Sequence, residues 1–172
     1  MGKGLPRSLS RGSKQRQVVS KIQLAIDTTV TVSATGAAVG FGTLVIGDLP
    51  EGYIKMLGAA AQLSFAGSGA DANLTDTWAG DFGIGTTPAS DATITGTDVD
   101  IIASTALGPA VAEVAPTVTA VNATDALFDN TDGSLEINLN VLVDAANIVD
   151  DQSVDLTVQG VVELTYITLL DD

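Results

Sequence analysis

Over 172 residues the chain carries 21 Asp and Glu against 7 Lys and Arg, a net charge of −14, with no Cys and no His. That length suits one domain with a real core. The missing Cys and His exclude a disulfide framework, a thiol nucleophile, a Ser-His-Asp triad and His- or Cys-ligated zinc.

The charge is partitioned along the chain. Lys3, Arg7, Arg11, Lys14, Arg16 and Lys21 are six of the seven cations, and all precede the first carboxylate, Asp27. Residues 1–17, MGKGLPRSLSRGSKQRQ, interleave these cations with Gly, Ser and Pro, which predicts an extended basic N-terminal arm without a core of its own. Such an arm reaches about 55 Å at ~3.3 Å per residue. It holds no aromatic residue to stack on bases, so any contact with nucleic acid would be to phosphate and sensitive to salt. The acidic body repels nucleic acid, which makes an acidic protein surface the expected partner. No apolar run follows the basic start, so neither a signal peptide nor a membrane helix is expected, and the chain reads as soluble and made in the cytoplasm.

Behind the arm the pattern becomes period-2. Ile22, Leu24, Ile26, Val30 and Val32 alternate with Gln23, Asp27, Thr29, Thr31 and Ser33, the signature of a half-buried strand that Gly36 ends. A second strand is predicted over Phe41 to Ile46, stopped by Gly47-Asp48-Leu49-Pro50. Tyr53 to Leu57 fits a short helix or a strand, and Ala61, Leu63 and Phe65 predict a strand. Gly67 to Asp71 reads as a loop. Phe82 and Ile84 then alternate with Asp81, Gly83 and Gly85, glycines that suit a strand which bends or meets another backbone closely.

Shorter strand signals lie at Ala92 to Thr95, Val99 to Ser104 and Thr117 to Val121, separated by Gly96-Thr97-Asp98 and by Gly108-Pro109 with Pro116 behind it. Asp129 to Gly133 is a dense turn, and Leu135 to Val143 alternates again. Asp144 to Asp151 has room for one helical turn. The final segment is the most regular, with Val154, Leu156, Val158, Val162, Leu164 and Tyr166 on one face and Gly160 as a bulge or bend. Roughly eight strands and frequent turns predict an all-β fold, an antiparallel β-sandwich of jelly-roll-like form over residues 18–172.

Few motifs suggest chemistry. Asp98 and Asp100 would share a strand face as an acid and base pair would, but the chain lacks the aromatics that hold sugar in glycosidases. Their alternative role is to solvate an outer face. The run Asp129-Asn130-Thr131-Asp132-Gly133 fails as an EF-hand, because Phe128 and Leu139 stand where the loop needs an acid and a bidentate Glu. Asp71, Asp76, Asp150 and Asp151 have no spacing that demands a cation. Gly80, Gly83 and Gly85 lack the Lys and the following helix of a phosphate loop, and the sequons at Asn73 and Asn122 need a secretion route. No catalytic residue, cofactor site or metal site is assigned.

The basic stretch Lys3 to Lys21, the body without Cys or His, the small-residue strand Ala79-Gly80-Asp81-Phe82-Gly83-Ile84-Gly85-Thr86-Thr87 and the acidic end Leu169-Leu170-Asp171-Asp172 together resemble the small head proteins of tailed bacteriophages that decorate and cement a capsid. The resemblance implies a β-rich homo-oligomer, commonly a trimer, on the capsid exterior. It implies the major capsid protein as partner, and no enzyme activity or cofactor. Lys3, Arg7, Arg11, Lys14, Arg16 and Lys21 would be the capsid-binding arm. Two other readings remain open: a single-jelly-roll coat protein whose arm binds packaged genome, and a head-fibre or host-binding module, for which exposed aromatics near Gly67 to Asp76 would be required and only Trp78 lies close.

Overall fold

A computed structural model describes residues 18–36, 38–67, 72–111, 117–122 and 126–169, with backbone alone at 110, 111 and 117–122. The arm cations Lys3, Arg7, Arg11, Lys14 and Arg16 lie outside the described residues. Among the described residues nine strands run in the order β1 (Val19–Ser33), β2 (Gly40–Asp48), β3 (Gly52–Gly67), β4 (Thr77–Gly85), β5 (Ile102–Val111), β6 (Thr117–Asn122), β7 (Leu127–Asn130), β8 (Glu136–Val143) and β9 (Ser153–Leu169). A single 3₁₀ turn, Gly96–Asp98, interrupts the β4–β5 connection.

The long alternating segments behave as their period requires. In β1 Ile26, Val30 and Val32 are buried while Gln23, Asp27, Thr29 and Thr31 are exposed. In β9 Val154, Leu156, Val158, Val162, Leu164 and Tyr166 are buried. One face of each strand therefore belongs to the core and the other faces outward.

Pairing is antiparallel and nested. β1 pairs with β9, β2 with β8, β3 with β6 and β4 with β5, so the chain is one long hairpin whose tip is the β4–β5 connection. The hairpin is rolled over itself, because β9 also pairs with β3 and β8 with β4. Two layers result, β1-β9-β3-β6 and β2-β8-β4-β5, with β7 added to β3. They join through one residue pair, Ser33 opposite Phe41, and β5 returns beside β6 at the far end. This winding is that of a jelly roll, the sandwich expected from the sequence.

The core fills the space between the layers. Phe65 of β3 meets Phe82 of β4 with ring centroids 5.3 Å apart, a tilted contact that ties one layer to the other. Trp78, Ile84, Leu63, Ile137 and Leu139 are fully buried around it. Each such side chain contributes about 1.5–3 kcal/mol on burial.

Several local expectations change. Ala92 to Thr95 is not a strand. Asp91 Oδ1 accepts from the amide and hydroxyl of Thr93 at 2.8 and 2.6 Å, a side-chain turn that competes with extended pairing. The next strand begins at Ile102 rather than Val99. Tyr53 to Leu57 is the first part of β3, its alternation hidden by a bulge between Met56 and Gly58. Gly108-Pro109 does not end a strand but lies within β5, where an edge strand tolerates the missing amide. Asp144 to Asp151 forms turns, and β7 is a strand that was not anticipated. Gly160 keeps the register of both its neighbours and has φ +145°; a Cβ there would stand 2.0 Å from the Gln62 carbonyl oxygen. The position is therefore not a bulge, and glycine is required there by the positive φ and the close approach of β3.

Candidate assembly surface

The two outer faces of the sandwich are built differently. On β8 the inward residues Ile137, Leu139, Val141 and Val143 are buried in the core, but the outward residues Asn138, Asn140 and Leu142 are buried as well. The β4–β5 connection, residues 86–101, lies over them. Its Ala89 and Ile94 pack with Leu142, Val39, Phe41 and Val99 in a cluster separate from the main core.

Asn140 pins this cover. Its Oδ1 accepts from the Ala89 amide at 2.8 Å and the Thr43 hydroxyl at 2.7 Å. Its Nδ2 donates to the Thr87 and Asp98 carbonyls at 2.9 and 2.8 Å. All the hydrogen-bonding capacity of a buried amide is thereby used. Asn138, two residues earlier on the same face, is equally buried and neither polar atom of its amide has a partner.

Asp98 and Asp100 belong to the cover and not to a shared strand face. Asp98 sits in the 3₁₀ turn and accepts from the Thr87 hydroxyl at 2.8 Å. Asp100 accepts from the Thr86 amide and hydroxyl at 2.9 and 2.7 Å. Burial pushes the Asp100 carboxyl above its ordinary range, against the lowering effect of the Thr86 hydrogen bonds. Both side chains are thus occupied in bracing the connection internally, its start at Thr86 and Thr87 tied to its end. The glycines of β4 make room for these neighbours: a Cβ at Gly85 would lie 2.1 Å from the Thr97 carbonyl oxygen, so the cover's backbone rests directly on the strand.

The opposite outer face, on β1, β9 and β3, has no such cover among the described residues. It is a polar ladder. Thr31 donates to Asp155 at 2.7 Å, Ser33 and Ser153 hydroxyls stand 2.9 Å apart, and Gln159 donates to Asp27 at 2.9 Å. Lys21 Nζ meets Glu163 Oε1 at 2.6 Å across β1 and β9, with both side chains largely in solvent. Of the six cations of the basic segment, Lys21 thus lies in the sheet and already has an acidic partner. Asp27, Asp155 and Glu163 give this surface acidic character.

The turn at Asp129 to Gly133 is a connection between β7 and β8 that closes on itself. Asp129 and Asp132 each accept from the amide and hydroxyl two residues on, at Thr131 and Ser134. Those bonds, from the Ser134 hydroxyl first and its amide second, hold Asp132 below the usual carboxylate range. Asn130 buttresses the turn from inside by donating to the Leu49 and Pro50 carbonyls and accepting from the Leu135 amide. Trp78, the aromatic nearest the 67–76 loop, is fully buried and offers no surface for recognition. Asp71 lies outside the described residues. No helix among the described residues is long and apolar enough to cross a membrane.

No family model matches the chain, and no curated protein matches it. Among solved structures it is similar to the cyanophage Pam1 capsid asymmetric unit, at 16% identity and a TM-score of 0.38 over 98% of this chain and 94% of that one. It is also similar to a structure of infectious bursal disease virus, Gt strain, at 14% identity and a TM-score of 0.34 over 88% of this chain and 32% of that one.

Proposed function

We propose that the chain is a structural protein of a virus particle: a capsid decoration protein whose jelly-roll body is fastened to the major capsid lattice of a phage by its basic N-terminal arm. Jelly rolls serve viral shells, lectins and cupins alike, so the fold leaves the role open. The observation that carries the reading is the charge partition, six cations and no carboxylate ahead of a body that has an acidic outer sheet, uncovered among the described residues. A chain without His or Cys, in which Asp91, Asp129 and Asp132 are bonded to their own turns, supports a structural role and no enzymatic one. In this reading the body forms a homo-oligomer, threefold by the resemblance to phage head proteins, on the exterior of the virion. Several arms per oligomer raise affinity through effective concentration.

Deleting residues 1–17 tests the tether. The truncated body should give the β-type circular dichroism of the full chain and lose binding to particles stripped of it, measured by co-sedimentation. Unchanged saturation of the particles by the truncated body would refute the tether.

A second reading is favoured by the complete winding itself. A full eight-strand jelly roll behind a basic arm also suits a coat protein that builds the shell and inserts the arm into the genome. Purified protein that retains nucleic acid and closes into shells would establish that reading in place of the first.

A further inference from the structure

Six large apolar side chains stand exposed among the described residues: Val18, Val19, Val45, Leu57, Leu127 and Val149. The ladders bring four of them to one corner. Val19 lies opposite Ile167, Ile167 opposite Lys55, and Lys55 opposite Leu127. This is one outward row across β1, β9, β3 and β7, about 14 Å wide at ~4.8 Å per strand. Leu57 stands in the β3 bulge next to the row, and Val18 precedes it. Single exposed apolar residues need no explanation, but a contiguous group does. The row also ends on an edge: β7 pairs with β3 alone among the described residues, and its Leu127 is 61% exposed.

We propose that a second copy of this chain seats on this corner, the site through which copies meet; the proposal rests on reading the chain as an assembling structural protein. Two facts favour a second copy over the chain's own arm. Residues 1–17 contain Met1, Leu5 and Leu9 as their only large apolar side chains, set among cations, a poor match for a corner of four exposed apolar groups. A second copy offers apolar residues in kind. The second fact is charge. The arm joins β1 at Val18, on the corner itself, so a neighbour seated there sets a body that holds all 21 acids of its chain beside the root of the basic segment. Asp129, outward beside Leu127, places one of those acids at the rim. Apolar contact then holds the copies together while unlike charges fix which surfaces face each other.

Sedimentation velocity of the full chain at micromolar concentration tests this, with Leu127→Glu and Val19→Glu as corner variants and Val45→Glu as a control at an exposed apolar site elsewhere. The wild type and the control should sediment as the same oligomer, and each corner variant should dissociate at least tenfold more readily. If a Glu variant fails to fold by circular dichroism, Leu127→Ser carries the same expectation at smaller size. A monomeric wild type, or corner variants that associate like it, would overturn the proposal. Particle co-sedimentation separates the two readings. Oligomers lost in the corner variants while no form binds particles would refute the decoration role and keep the contact, whereas particle binding with corner variants unaffected in association would do the reverse.

Discussion

The two outer faces of this sandwich treat polar groups on opposite terms. On the β8 side a long connection is folded down onto the sheet, and one buried amide, Asn140, spends three of its four hydrogen bonds on holding it there. On the β1-β9 side the polar groups pair across strands in solvent, with no cover over them among the described residues. A hydrogen bond is worth little while water competes for both partners, and its removal is expensive once they are buried. The covered face should therefore be sensitive to single substitutions, and the open face free to vary or to bind.

The largest expected effect is Asn140→Ala. It leaves the buried Ala89 amide and the Thr87 and Asp98 carbonyls without their partner, and should cost about 3 kcal/mol, a fall of roughly 6–12 °C in Tm for a chain of this length. Thermal unfolding measures it, and a loss below ~0.5 kcal/mol would remove the distinction between the faces. Asn138→Leu tests the same burial with the opposite sign. Removing an amide with no partner should leave stability equal or raise it by about 1 kcal/mol, and a substantial loss would mean that the amide has a partner in solution.

A pH titration sharpens the contrast further. Burial holds the Asp100 carboxyl above the 3.8 of an unfolded chain, so between those two values the folded protein binds more protons. The stabilising contribution is therefore present at low pH and lost as pH rises through the folded value. Relative to Asp100→Asn, the wild type should gain stability as pH is lowered from neutrality toward 4, as read from chemical unfolding at each pH. The smallest effect belongs to the open face: Glu163→Gln should shift stability by less than about 0.5 kcal/mol, because the Lys21 pair is screened by water. A larger loss in salt-free buffer would show that the ladder contributes to the fold.

The sequence made some of this legible. Strands with one solvent face, β1 and β9, were readable to within a few residues because water and core impose strict alternation. The alternation of β8 was equally clear but meant something else. Asn138 and Asn140 read as solvent-facing, and their burial depends on a connection with no periodicity of its own. β3 was half hidden because its bulge breaks the phase at Leu57, and β7 because four residues beside a dense turn carry no period. The candidate surface was legible as charge along the chain. Its apolar corner was not, since Val19, Leu57 and Leu127 become neighbours only through ladders between distant strands.

The central claim is that the arm fastens an acidic jelly roll to protein. The most direct measurement is the structure of the assembled particle around Arg7, Arg11 and Arg16. Carboxylates of another protein chain within about 4 Å of these guanidinium groups, the distance of an ion pair, are the predicted result. Nucleic-acid phosphates at that distance, or solvent alone, would contradict it.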